Sequence, residues 1–231
     1  MKKRLSMLLF TIGLAIIVNY IIRLPMITNS QFNNVQDSFT DLEDVKIDTS
    51  NEDLFLVNSK NVLSKDFIPK SLKIPEVDFV YYADQAVTRM DTVAATALEK
   101  MFSTAKVEGI TLLAVSGYRD YLYQQKLYAD AEIEGEEEYV APPGASEHQT
   151  GLAMDVLSNE YTTLDEDFDK TQAFQWLQDN CYKYGFIIRY PKGTESITGY
   201  KYEPWHIRYV GVDGASEITR KQITLEEYMG N

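Results

Sequence analysis

Apolar residues recur at three- and four-residue spacings between Gln85 and Lys106, at Val87, Met90, Val93, Ala94, Ala97, Leu98, Met101, Phe102 and Ala105. That is the period of an α-helix with one apolar face, so a helix is expected over this range, packed against another layer. The run that follows, Ile110-Thr111-Leu112-Leu113-Ala114-Val115, is short, aliphatic and stopped by Ser116-Gly117, and it reads as a strand of the sheet under that face. Tyr121 to Ala131 has helical character, and Thr171 to Tyr184 reads as a helix closed by Gly185. Gly151 to Leu157, Phe186 to Arg189 and Ile207 to Val210 read as strands, and Leu54 to Asn58 as a short strand or extended opening. Ile68-Pro69 and Ile74-Pro75 mark loop corners, because the residue before a proline is pushed out of the helical region. Strands and helices without regular alternation define the expected class as α+β, a small mixed and mainly antiparallel sheet with flanking helices. The sequence has no internal repeat.

The N-terminal part has a different pattern. Lys2, Lys3 and Arg4 precede a nearly unbroken apolar run from Leu5 to Ile22, and no small-residue cleavage pattern or lipidation cysteine follows. About 18 apolar residues suffice to cross a bilayer as a helix. Residues 1–4 are therefore expected to stay in the cytoplasm and residues 5–23 to form a transmembrane signal-anchor. Residues 24–52, polar and acidic, read as a flexible extracytoplasmic linker, and residues 53–231 as one globular domain. The expected location is the cell membrane, single-pass, with the domain outside; secretion after signal cleavage is the alternative.

A net charge of −13 without a basic run beyond the first four residues excludes nucleic acid as an expected partner. The acidic stretch from Asp130 to Glu138 reads as a solvated loop, with a lid or cation role as its alternative. Cys181 is the only cysteine, so no intramolecular disulfide is possible, and among Trp176, Leu177 and Tyr184 it reads as a small buried apolar group. The domain is expected to be a monomer.

Chemistry enters with the histidines. The chain has two, in Ser146-Glu147-His148-Gln149-Thr150-Gly151-Leu152-Ala153-Met154-Asp155 and in Glu203-Pro204-Trp205-His206. A catalytic zinc commonly takes three protein ligands from imidazole and carboxylate groups and keeps one position open. His148, Asp155 and His206 supply such a set, and Asp155 would be costly to bury in an apolar strand unless paired or metal-bound. Two histidines exclude a three-histidine site, so a bound metal would require a carboxylate ligand. Glu203, three residues before His206, is near enough to act as a general base. Pro204 disfavours helix at Glu203, so Glu203 to His206 is expected to be an extended or turn segment leading into a strand.

These blocks, with Ser116-Gly117-Tyr118-Arg119, Gln124, Gly185-Phe186-Ile187-Ile188-Arg189-Tyr190-Pro191 and Ile207-Arg208-Tyr209-Val210-Gly211, resemble the zinc D-alanyl-D-alanine carboxypeptidase family. That family includes the vancomycin-resistance carboxypeptidases and relatives acting as L,D-carboxypeptidases, and the resemblance covers about Leu54 to Tyr228. It implies Zn2+ held by His148, Asp155 and His206 in a cleft on the sheet, with Glu203 as catalytic base. It further implies that Arg119, Gln124 and Ser146 orient the substrate, with Arg119 also helping to stabilise developing charge. The implied reaction removes C-terminal D-alanine from peptidoglycan stem peptides. L,D-carboxypeptidase action on tetrapeptide stems is one alternative, and a catalytically silent wall-binding protein is another. Trp205 and Tyr190 could line the cleft or belong to the core, whereas Tyr118 and Trp176 read as core.

Overall fold

In the computed structural model, residues 54, 56–135 and 139–230 are described. The segments 1–4, 5–23 and 24–52, expected to be cytoplasmic end, span and linker, lie outside the described residues, as do residues 136–138 of the acidic stretch. The described residues all fall within the compact unit Ile47–Asn231. Among them no helix is long and apolar enough to cross a membrane.

The elements in chain order are β1 (Leu72–Lys73), β2 (Met90–Asp91), α1 (Thr92–Val107), β3 (Leu112–Ser116), α2 (Tyr121–Glu134) and β4 (Ala153–Ser158). They continue with α3 (Gln172–Asn180), β5 (Phe186–Tyr190), α4 (Glu195–Thr198), β6 (Glu203–Tyr209), α5 (Val212–Lys221) and α6 (Leu225–Tyr228).

Helix α1 begins later than its apolar period suggests. Met90-Asp91 is diverted into an antiparallel pair with β1, and the Asp91 side chain caps the helix by accepting from the Val93 amide at 2.8 Å. Gln85–Val87 forms a separate 3-10 turn capped by Asp84. The apolar face itself is buried as its spacing requires, through Ala94, Ala97, Leu98, Met101, Phe102 and Ala105. The region expected as one helix from Thr171 to Tyr184 divides into α3 and a 3-10 turn, Cys181–Tyr184, that ends at Gly185. Leu54 and Leu56 pack against the protein but form no strand.

Four antiparallel strands make the main sheet in the order β3-β4-β6-β5. Alternation along β5 separates two apolar clusters. Phe186 and Ile188 join the main core, with Met154, Val156 and Ile207 from the sheet and the buried faces of α1 and α3. Ile187 belongs to a second cluster with Val210, Ala215 and Ile218 of the chain into α5 and Leu225 of α6. A reciprocal capping box between Thr224 and Glu227 starts α6.

The segment Glu203 to His206 is the first half of β6 itself, where a lead-in was expected. Pro204 is tolerated because it lies beyond the stretch paired with β4 and at the register shift against β5, where no regular ladder bond is forfeited.

Cys181 is buried in the main core, and burial pushes its thiol up to about 12. It is expected to resist iodoacetamide in the native protein at mildly alkaline pH and to react once denaturant is added. Rapid labelling of the folded chain, followed by mass spectrometry, would contradict that burial.

Candidate metal centre and substrate cleft

Register places the first part of the site. Ser116 pairs with Asp155, and Asp155 pairs with His206, so three strands put one side chain each into a single row across the sheet. Side chains directly opposite one another leave the sheet on the same face. The Asp155 Oδ1 atom accordingly lies 3.4 Å from His206 Nδ1.

His148 comes from outside the sheet, on the 3-10 turn Glu147–Thr150. Gly151 ends that turn at φ 73°, and a Cβ there would lie 2.9 Å from both the Asp91 amide nitrogen and Leu72 Cδ2, so only glycine allows the chain to re-enter β4 here. The His148 Nδ1 atom is 2.7 Å from the Gly117 carbonyl oxygen. A carbonyl only accepts, so Nδ1 carries the hydrogen and Nε2 is left with its lone pair. That Nε2 points at the same Asp155 Oδ1, 3.4 Å away.

Lone pairs that converge without a hydrogen between them repel, and a buried site that gathers them calls for a cation. His148 Nε2 and Asp155 Oδ1 are both buried without a hydrogen-bond partner among the described residues. His148, Asp155 and His206 each offer one ligand atom, all within 4.8 Å of one another. Two ligands of a tetrahedral zinc stand about 3.4 Å apart, and both histidine-to-Asp155 separations have that value. The donor set therefore fits a zinc ion. Charge points the same way. Burial alone would lower the pKa of His206, yet the carboxylates of Asp155, Glu147 and Glu203 that face it hold it well above the ordinary value. Burial, and after it the facing Arg119 guanidinium, bring the pKa of His148 down to about 4.

Gly117 holds His148 from behind, and it has no room to change. A Cβ at Gly117 would overlap the Arg89 carbonyl oxygen and stand 3.0 Å from Met154 Cε. Gly117→Ala is expected to cost about 1–3 kcal/mol of stability in urea unfolding. It is also expected to weaken metal binding by displacing the acceptor of His148; unchanged stability and unchanged affinity together would show that the close approach is not needed.

Around the trio lies a cleft of about 420 Å³ lined by Ser116, Arg119, Ser146, Glu203, Tyr190 and Trp205 among others. The Glu203 Oε2 atom is 3.4 Å from His206 Nδ1. Burial pushes the Glu203 carboxyl above the usual glutamate value, with His206 pulling the other way. The Arg119 Nη1 atom donates to Ser116 Oγ at 3.1 Å and lies 3.5 Å from Asp155 Oδ2. Ser146 lines the cleft and makes no side-chain cap. Gln124 does not reach it: buried on α2, its Nε2 donates to the Ala141 carbonyl at 2.7 Å, and so it braces the wall formed by Tyr139, Val140 and Ala141. The two aromatics left undecided by the sequence, Trp205 and Tyr190, both border the cleft while remaining buried.

One charged group at the site has no counterpart in the sequence reading. Glu147 is completely buried, and its Oε1 accepts from Arg189 Nε and from Arg208 Nη1, each at 2.8 Å. Burial would raise the pKa of Glu147, but the two guanidinium groups hold it far below the usual carboxylate range. Arg189 also makes two bonds to Glu226 of α6, at 2.9 and 2.6 Å. The signal for this network was present in two arginines inside otherwise apolar strands, which can be buried only against acids.

An antiparallel sheet that turns an imidazole and a carboxylate into a cleft, met there by a second imidazole from the turn before β4 and by a further carboxylate, defines a mononuclear metallohydrolase framework. Residues 87–212 match the model of the VanY D-alanyl-D-alanine carboxypeptidases, and the chain belongs to that family. The candidate carboxypeptidase YodJ of Bacillus subtilis is 46% identical over 210 residues, 87% of this chain and 77% of that protein. A D-alanyl-D-alanine carboxypeptidase of Enterococcus faecalis is 36% identical over 61% of this chain, which spans 56% of that relative's length. Among solved structures, the LD-carboxypeptidase LdcB is 48% identical with a TM-score of 0.72, covering 76% of this chain and 84% of that one. A glutamate-to-alanine mutant of the vancomycin-resistance D,D-pentapeptidase VanY, in complex with Zn(II), is 31% identical with a TM-score of 0.60, covering 77% and 99%. The family resemblance carried by the motifs and the expected α+β class with its antiparallel sheet are thus both borne out.

Proposed function

We propose that this protein is a zinc-dependent carboxypeptidase that removes the C-terminal D-alanine from peptidoglycan stem peptides. The observation that carries the reading is the convergence of His148 Nε2, Asp155 Oδ1 and His206 Nδ1 on one point in a cleft that also holds Glu203 and Arg119. When bound there, zinc supplies Lewis-acid polarisation of the scissile carbonyl and lowers the pKa of water. Glu203 takes the proton from the attacking water and delivers it to the leaving amine. Its burial favours the protonated form it needs for that second task. Arg119 presents a guanidinium edge to the substrate's terminal carboxylate or to the developing oxyanion, held in place by Ser116 and Asp155. Ser146 contributes a hydroxyl to the cleft wall, and Gln124 acts through the loop it braces.

A second reading shares every residue role. LdcB, described as an LD-carboxypeptidase, is more similar to this chain in both identity and TM-score than the zinc-bound VanY structure. That favours removal of the fourth-position D-alanine from tetrapeptide stems. Digestion of synthetic pentapeptide and tetrapeptide by the zinc-loaded protein, followed by mass spectrometry, separates the two. Loss of one alanine from pentapeptide alone supports the D,D activity, and preferential trimming of tetrapeptide supports the L,D activity. If neither peptide is shortened, the enzymatic reading fails and wall binding without catalysis becomes the account to pursue.

The cationic start and apolar run at residues 1–23 support a location in the cell membrane with the domain on the outer side, where such peptides are found.

A further inference from the structure

Of the two histidines in the metal trio, His148 has a backbone carbonyl to take its second ring hydrogen. His206 does not. Its Nδ1 is turned toward Asp155 and Glu203, and its Nε2 toward Glu147 Oε2 at 3.6 Å. Among the described residues neither His206 Nε2 nor Glu147 Oε2 has a hydrogen-bond partner, and both are buried. The other oxygen of Glu147 is committed to Arg189 and Arg208. Two buried polar atoms that face each other, with no other partner, are a few tenths of an ångström from a hydrogen bond.

We propose that Glu147 is the positioning residue for His206: its free oxygen accepts the Nε2 hydrogen, so that Nδ1 is the atom offered to the metal. The inference rests on the zinc reading above. Arg189 and Arg208 keep the carboxylate ionised and fix its orientation, and Glu226 holds Arg189 in turn through two parallel bonds. Asn58, in the segment that opens the domain, lies 3.4 Å from Glu226 Oε1. The support of one metal ligand therefore runs back to α6 and, through it, to the segment that opens the domain. Loss of a carboxylate behind a metal-bound histidine typically weakens metal binding by about 10–100-fold.

Glu147→Gln keeps the shape but changes the polarity. The arginines attract the amide oxygen, which turns the amide NH2 toward His206 Nε2 and sets donor against donor. Zinc affinity, measured by competition with a chromophoric chelator, is expected to fall by about 10–100-fold, and Glu147→Asp is expected to recover part of it. A melt of the metal-free variant establishes that it is folded. Independently of any variant, a long-range proton–nitrogen spectrum of the zinc-loaded wild-type protein has two imidazole rings to resolve. His206 is expected to carry its hydrogen on Nε2, in slow exchange with water, and His148 on Nδ1. A hydrogen on Nδ1 of His206, or wild-type affinity in folded Glu147→Gln, overturns the proposal while leaving the zinc reading intact. If wild-type protein binds no zinc, the metal reading falls and this inference with it.

Discussion

Glu203→Gln is expected to lower kcat for release of the terminal alanine by about 10²–10⁴-fold while zinc affinity stays within a few-fold of wild type. The substitution removes the proton acceptor and preserves volume, so the cleft and the neighbouring Trp205 need not move. Glu203 is distinguished from the trio by position: its Oε2 stands 3.4 Å from His206 Nδ1, but it is not one of the three groups whose ligand atoms cluster within 4.8 Å of one another. A base contributes to the transition state and little to the ground state, so the loss belongs in kcat and not in KM. Stopped-time assays on stem peptide together with a chelator competition measure both quantities. Near-wild-type turnover would remove Glu203 from the mechanism. A parallel collapse of zinc binding would instead make it a ligand.

The largest expected effect on stability lies away from the reacting atoms. Arg189→Met is expected to cost about 3–5 kcal/mol, because removing one member of a buried charge network leaves its partners desolvated and unbalanced. Arg189 has no solvent exposure and donates to Glu147 once and to Glu226 twice. Without it, Glu147 retains Arg208, and among the described residues Glu226 retains the 3.4 Å approach of Asn58. Urea unfolding of the metal-free proteins, compared at equal slope, reads the difference. A loss below about 1 kcal/mol would mean that the acids are neutralised by other means. Replacing Glu226 by Met in the same chain should return part of the loss, since it removes one of the stranded charges.

The centre was legible in the sequence wherever a residue contradicted its own surroundings. Asp155 stands among Leu152, Ala153, Met154, Val156 and Leu157, and the two histidines stand beside it and beside Glu203. The sheet followed from runs of aliphatic residues whose lengths match strands. Glu147 was not legible: next to a histidine in a loop, a glutamate reads as solvated. Its burial depends on arginines 42 and 61 residues further along the chain. The start of α1 illustrates another limit. The helical period extends back to Val87, but pairing of Met90-Asp91 with Leu72-Lys73 outweighs it, a tertiary override of local pattern. The helices α5 and α6 were missed because they present few large apolar residues, Ile218 and Leu225 among them, to the second cluster. For Gln124 the motif indicated that the residue matters; only the fold shows its amide turned to a backbone carbonyl.

The pairing of Asp155 with His206 has a consequence for how the chain reaches its native state. A strand that slips by one residue turns every side chain to the opposite face. If β6 slid by one position along β4, Ile207 would stand across from Asp155, and the imidazole would point into the apolar layer instead of the cleft. A divalent cation therefore rewards a single alignment of these two strands and none of its neighbours. It cannot do so until β6, the last of the four strands in chain order, has joined the sheet. Metal capture would then act as a late proofreading step on strand alignment, and refolding with zinc present would yield fewer misaligned molecules than refolding with a chelator.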